Sequence, residues 1–182
     1  MKYTLIIAGS GGQGVMSIGI TFAQSAAEGG KYASFMPTYG PEQRGGSAKC
    51  TVIISDEEII SPLPKKCKIF IAMNEQSYKK FIGELEEGGI LILNSSRVIS
   101  EVKRTDIKTI SIAADDIAIE LGDNRISNII LIGALIGYTN ILQPSVFLHS
   151  IEKKFAKKSP EIVQINKAAL EKGIELGKAV SK

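Results

Sequence analysis

The chain has 182 residues, enough for one domain with a full hydrophobic core, and its 44% hydrophobic and 23% charged content is that of a globular protein in water. A net charge of +3 without zinc-finger spacing or an aromatic–basic motif argues against nucleic acid; the lysine groups read as solvated faces, with docking of an acidic partner as the lesser role. Two cysteines, Cys50 and Cys67, and one histidine, His149, cannot supply a four-cysteine iron–sulfur or zinc site or a disulfide framework, which fits a cytoplasmic protein, and no metal cluster is visible in the sequence.

In chain order, Tyr3 to Ala8 is a continuous apolar run, the pattern of a buried parallel strand rather than a signal peptide. Gly9-Ser10-Gly11-Gly12-Gln13-Gly14 follows. From Val15 a helix is predicted, with Val15, Ile18, Phe22 and Ala26 on one face and Gly29-Gly30 as its stop. Lys31 to Met36 reads as the second strand, so residues 1–36 form a βαβ unit. Pro37 to Ser47 is a structured, irregular loop. Ala48 to Ser55 is a strand, and Ile59-Ile60-Ser61 is expected to return beside it as the second arm of a hairpin.

Ile69 to Met73 is the next strand. Asn74 or Ser77 caps a helix with Tyr78, Phe81 and Leu85 on one face, ended by Gly88-Gly89 before a strand from Ile90 to Leu93. Lys108 to Ile112 is a strand, and Ala114 to Leu121 a short helix stopped by Gly122. Ile126 to Leu142 is apolar but too short and too interrupted for a membrane span of about 20 residues, and reads as a buried helix. Ser145 to Phe155 is amphipathic, and Ser159-Pro160 opens a last helix running to about Lys178. The whole predicts one α/β domain over residues 1–182: a Rossmann-like three-layer fold with a mainly parallel sheet, an inserted β-hairpin and C-terminal helices.

Gly9, Gly11 and Gly14 match the spacing G-x-G-x-x-G in a strand–turn–helix context. Such a turn lets a phosphate, another subunit or the next strand approach the backbone. A dinucleotide site also wants a carboxylate after the second strand, and Phe35-Met36-Pro37-Thr38 has none, although a helix N-terminus attracts anions without it. Arg44, in a glycine-flanked loop, can grip a carboxylate or phosphate, pair with Glu42, or contact a subunit; Tyr39, Gly40 and Pro41 fix that loop's shape. Asn128, polar on an apolar helix, needs a specific hydrogen bond and is expected to cap or tether a loop. His149 reads as a packing or surface residue, and Asp115-Asp116 as helix-start chemistry. No catalytic residue set is visible.

Taken together, Gly9 to Val15, the block Tyr39-Gly40-Pro41-Glu42-Gln43-Arg44-Gly45-Gly46, Ile54 to Glu57, Ile71 to Asn74, Gly88-Gly89, Asn94-Ser95-Ser96, and Asn128 with Leu131 to Leu135 resemble the gamma subunit of 2-oxoacid:ferredoxin oxidoreductases. Arg44-Gly45-Gly46 and Asn94-Ser95-Ser96 look closer to the 2-oxoglutarate and 2-ketoisovalerate branches than to the pyruvate branch, whereas Cys67-Lys68 departs from the family's more usual Pro-Asp. The resemblance implies a non-autonomous subunit, inactive alone, of a complex that turns a 2-oxoacid and coenzyme A into acyl-CoA and reduces ferredoxin. Thiamine diphosphate and iron–sulfur clusters are then expected on partner subunits. Within that frame Gly9, Gly11, Gly12, Gln13, Gly14 and Arg44 are candidates for an anion or coenzyme A contact or a subunit contact. Tyr39, Pro41, Gly45, Gly46 and Asn128 are candidates for loop fixing or interface. The alternative is a free-standing nucleotide-binding or regulatory Rossmann-like module.

Overall fold

A computed structural model describes residues 1–39, 46–62 and 64–180. Its elements are β1 (Lys2–Ser10), α1 (Val15–Glu28), β2 (Tyr32–Tyr39), β3 (Ser47–Ser55), β4 (Cys67–Ala72), α2 (Glu75–Phe81), β5 (Leu85–Asn94), β6 (Lys108–Ile112), α3 (Ala114–Glu120), α4 (Ser127–Thr139), α5 (Pro144–Phe155) and α6 (Pro160–Val180). The six strands form one sheet in the order β2-β3-β1-β4-β5-β6. β1, β4, β5 and β6 pair in parallel, while β3 runs antiparallel to both of its neighbours. β1 and β2 therefore run the same way, as a βαβ unit requires, but β3 is threaded between them.

The inserted hairpin is β2–β3, not β3 with residues 59–61. Both edges of β3 are taken along its length, by β1 and by β2, so no free row of backbone donors and acceptors remains for a third arm. Ile60 is left 96% exposed. Strand β2 also continues through Pro37 to Tyr39, where an irregular loop was expected. Proline is tolerated there because β2 lies at the sheet's edge and needs no N–H on its outer side.

The continuous apolar runs are explained by cover on both faces. Leu5 and Ile7 of β1 face one core with α1, α3, α4, α5 and α6; Ile6 and Ala8 face a second core with α2 and residues around Val98. The three layers are thus unequal. The predicted α2 is too long: it ends at Phe81, and after a 3₁₀ turn β5 begins at Leu85, which pairs with Cys67. Leu85 still packs with Tyr78 and Phe81, but from the strand. Gly88 and Gly89 lie inside β5 in an irregular stretch of the ladder, where Gly88 at φ 73° donates to the Asp106 carbonyl at 2.8 Å.

The buried helix is also shorter than its apolar run. A 3₁₀ turn over Asn124–Ile126 precedes α4, and Asn140 ends it in the left-handed region. α4 and α6 meet backbone to backbone along Gly133 and Gly137 of one and Gly173 and Gly177 of the other. α5 is fixed to α1 by an edge-to-face contact of Phe22 and Phe147, centroids 5.8 Å apart, worth about 1 kcal/mol. Among the described residues, no helix is long and apolar enough to cross a membrane.

Candidate functional site at the switch of the sheet

The sheet turns at β1 and β4. From β1 the chain goes through α1 on one face to the β2 side; from β4 it goes through α2 on the other face to β5. In open α/β sheets the crevice beyond the strand ends at such a switch is where ligands bind. The two turns that flank it are Gly11–Gly14 after β1 and Met73–Asn74 after β4.

The first turn is locked from within. Gln13 folds back, its Oε1 accepting from the Ser10 N–H at 2.6 Å and from Asn74 Nδ2 at 2.9 Å, while its Nε2 donates to the Met73 carbonyl at 3.4 Å. Asn74 Nδ2 also reaches Ser10 Oγ at 2.6 Å, and its Oδ1 caps α2 by accepting from the Ser77 N–H at 2.8 Å. From the opposite face Asn128 Nδ2 donates to the Gln13 carbonyl at 3.2 Å, so the polar group on the apolar helix tethers the turn.

The glycines divide accordingly. A Cβ on Gly9 would lie 2.7 Å from Gln13 Oε1, and one on Gly14, whose φ is 73°, would lie 2.3 Å from Asn128 Nδ2. Those two positions are demanded by contacts inside the chain. Gly11 and Gly12 are exposed and a Cβ there meets nothing within 4 Å; Gly12 is glycine for its φ of 91°. The fingerprint spacing is therefore real, but the Gln13 carboxamide bonds back to Ser10 and Met73, and Gly11 and Gly12 are the exposed glycines of the turn.

Beside them, α1 begins with Gly14 as a cap that has no side chain, and no acid stands in its first turn. Near its start lies a cleft of about 200 Å³ lined by Gly12, Gly14, Ser17, Arg125, Asn128 and Lys154, among others. Lys154 donates to the Ser17 carbonyl at 3.0 Å, to Thr21 Oγ1 at 2.8 Å and to Ser17 Oγ. The residue is exposed as a whole, but its ammonium is folded onto α1, and that desolvation lowers its pKa. Arg125 is exposed at the rim and forks onto Asp123, whose pKa its guanidinium lowers. Lys154 at a helix start without an acid favours an anion, while the charge of Arg125 is already met by Asp123. A larger groove of about 560 Å³ between α1 and α5 adjoins the cleft through Ser17 and Lys154.

The Arg44 loop springs from the same end of the sheet, since Ser47 lies opposite Ser10 and Ala48 opposite both Gly9 and Tyr39. Gly40, Pro41, Arg44 and Gly45 lie outside the described residues; Tyr39 ends β2 and Gly46 precedes β3. Asn94 caps α3 by accepting from the Ala114 N–H at 3.1 Å and donates to Asp115 at 2.7 Å, while Asp116 bonds Ser96, so this cluster is helix-start chemistry. His149 is exposed on α5. Cys50 and Cys67 are fully buried, and burial pushes both thiols up to about 12. Among the described residues no three His, Cys, Asp or Glu side chains gather to hold a metal.

Sequence reasoning missed Lys154, Arg125 and the second role of Asn74. The signal for Lys154 is its spacing: it shares a helical stripe with Phe147 and Ile151 at i, i+4 and i+7, which brings its ammonium to α1 although the residue itself stays exposed.

Comparison with known proteins agrees with the geometry. The family described as pyruvate ferredoxin/flavodoxin oxidoreductase matches residues 4–176. The ketoisovalerate oxidoreductase subunit VorA of Methanothermobacter marburgensis is 37% identical over 171 residues, covering 93% of this chain but 35% of that protein, so the chain spans about a third of that relative's length. The crystal structure of a keto/oxoacid ferredoxin oxidoreductase gamma subunit from Geobacter sulfurreducens superimposes with a TM-score of 0.87 at 26% identity, over 100% of this chain and 99% of that one. The 2-oxoglutarate:ferredoxin oxidoreductase from Magnetococcus marinus, with 2-oxoglutarate, coenzyme A and succinyl-CoA bound, gives 0.90 at 26% identity over 98% of this chain and 31% of that one. A matched span from residue 4 to residue 176 means that this chain belongs to the pyruvate ferredoxin/flavodoxin oxidoreductase family.

Proposed function

We propose that the chain is the gamma subunit of a cytoplasmic, multisubunit 2-oxoacid:ferredoxin oxidoreductase and has no activity alone. The observation that carries this is the end-to-end likeness to a solved gamma subunit. The complex converts a 2-oxoacid, coenzyme A and oxidised ferredoxin into acyl-CoA, carbon dioxide and reduced ferredoxin. A branched or dicarboxylic oxoacid is favoured over pyruvate by the Arg44-Gly45-Gly46 and Asn94-Ser95-Ser96 blocks, and the ketoisovalerate relative supports the branched choice.

Two buried cysteines are too few for an iron–sulfur cluster, and the sequence carries no thiamine-diphosphate motif. Those groups belong on partner subunits. Coenzyme A fits better. Its phosphates match the cleft of Arg125, Lys154 and the uncapped α1, and the exposed Gly11–Gly12 backbone allows a ligand chain to pass close by. The coenzyme A named with the Magnetococcus enzyme supports that choice. In this arrangement Gly12, Gly14, Arg125 and Lys154 bind, Arg44 is a further candidate anion contact from its sequence alone, and Gln13 and Asn128 hold the turn's shape.

Purification of the native complex tests the assignment: a thiamine-binding chain and a cysteine-rich, ferredoxin-like chain should accompany this one. A free-standing nucleotide-binding module would instead purify alone and bind nucleotide unaided. Within the complex, Arg44→Ala should raise the KM for coenzyme A. Weakened assembly with an unchanged KM would make the loop a purely architectural contact.

A further inference from the structure

We propose that Asn74 is a positioning residue that presets the glycine turn for its ligand, beyond its duty as the cap of α2. The inference rests on the coenzyme A assignment above. Capping needs only an oxygen. Serine, threonine and aspartate cap as well as asparagine does, and Asn74 spends only Oδ1 on it, accepting from the Ser77 N–H at 2.8 Å. The two hydrogens of Nδ2 go elsewhere, to Ser10 Oγ at 2.6 Å and Gln13 Oε1 at 2.9 Å. An asparagine is the residue that can do both, because one amide carries an acceptor and two donors.

The bridge matters because of where it sits. It spans 61 residues of sequence and joins the turn after β1 to the turn after β4 at the sheet's switch point. Gln13 Oε1 accepts twice, from Asn74 and from the Ser10 N–H, and the Gln13 carbonyl accepts from Asn128 on the other face. The turn is thus clamped between a helix start of one layer and a helix start of the other. Four glycines in six residues would otherwise sample many shapes, and ordering them on binding would weaken affinity. The clamp leaves Gly11 and Gly12 outward in one preset conformation.

Asn74→Ser in the assembled complex separates the two duties. Serine keeps the cap of α2, carries no charge, and is too short to reach Gln13. The KM for coenzyme A should rise about tenfold, equivalent to about 1.4 kcal/mol, with kcat at saturating coenzyme A within about twofold and the thermal midpoint of the complex within about 3 °C. Gln13→Met should raise the KM similarly, and the double variant should add little, since both remove one clamp. A lower midpoint with an unchanged KM would reduce Asn74 to a helix cap. Lys154→Met is the control: if it raises the KM and Asn74→Ser does not, the positioning role fails and the coenzyme A cleft stands. If neither variant moves the KM, the coenzyme A assignment fails and the inference falls with it.

Discussion

Two regions of this molecule are built on glycine for opposite reasons. In the seam between α4 and α6, a Cβ on Gly137 would lie 2.2 Å from the Ile174 carbonyl oxygen, one on Gly173 2.2 Å from that of Ile130, and one on Gly177 2.1 Å from that of Ala134. There the obstacle is helix backbone, which cannot move without parting the two helices. In the turn after β1 the obstacles are side chains, Gln13 at Gly9 and Asn128 at Gly14, and at Gly11 and Gly12 there is no obstacle. The seam is glycine because the protein fills the space. At the tip of the turn Gly12 is glycine for its left-handed backbone, whereas Gly11 has neither an obstacle nor a positive φ, which under the proposed function leaves its open side for a ligand.

Substitutions make the contrast measurable. Gly137→Ala forces a methyl into backbone at the centre of the seam and should cost about 3 kcal/mol, seen as a thermal midpoint lower by roughly 10 °C. An unchanged midpoint would mean the helices can part cheaply, and the seam would no longer differ from the turn. Gly14→Ala comes next, at about 2 kcal/mol: the left-handed backbone strains any residue with a Cβ, and the methyl displaces Asn128 from the Gln13 carbonyl. Chemical denaturation of the chain reads this directly, and a loss well under 1 kcal/mol would mean that Asn128 repacks freely.

How legible these features were depends on how far apart in sequence their causes lie. Strand β4 was readable because a run buried on both faces stays apolar, β6 because Ile110 and Ile112 alternate with exposed Ser111, and the stop of α1 because of its glycine pair. The second arm at residues 59–61 was misplaced because nothing local shows that β2 and β1 occupy both sides of β3. Gly88-Gly89 was read as a helix stop, since an irregular stretch inside a strand carries the same glycine signal. At the site, the G-x-G-x-x-G spacing was plain in Gly9, Gly11 and Gly14. Its meaning was not, because the residues that use those glycines lie far along the chain: Asn74 is 61 positions from Gln13 and Asn128 is 115.

The smallest expected effect on stability is the most informative about function. Gly11 is exposed, a Cβ there meets nothing, and its backbone is outside the left-handed region, so Gly11→Ala should change stability by no more than about 0.5 kcal/mol. Any change should be toward greater stability, because alanine restricts the unfolded chain more than glycine does. Packing thus supplies no reason for glycine at this position, in contrast to Gly137. Under the proposed function the reason lies in what docks on the turn. A methyl at the tip of the turn should then weaken coenzyme A binding in the assembled complex several-fold while the thermal midpoint of the chain holds or rises. Equal loss of binding and stability would place Gly11 with the seam glycines. Loss of neither would leave the outward face of the turn without a ligand, and the cleft at α1 would have to hold coenzyme A through Lys154 and Arg125 alone.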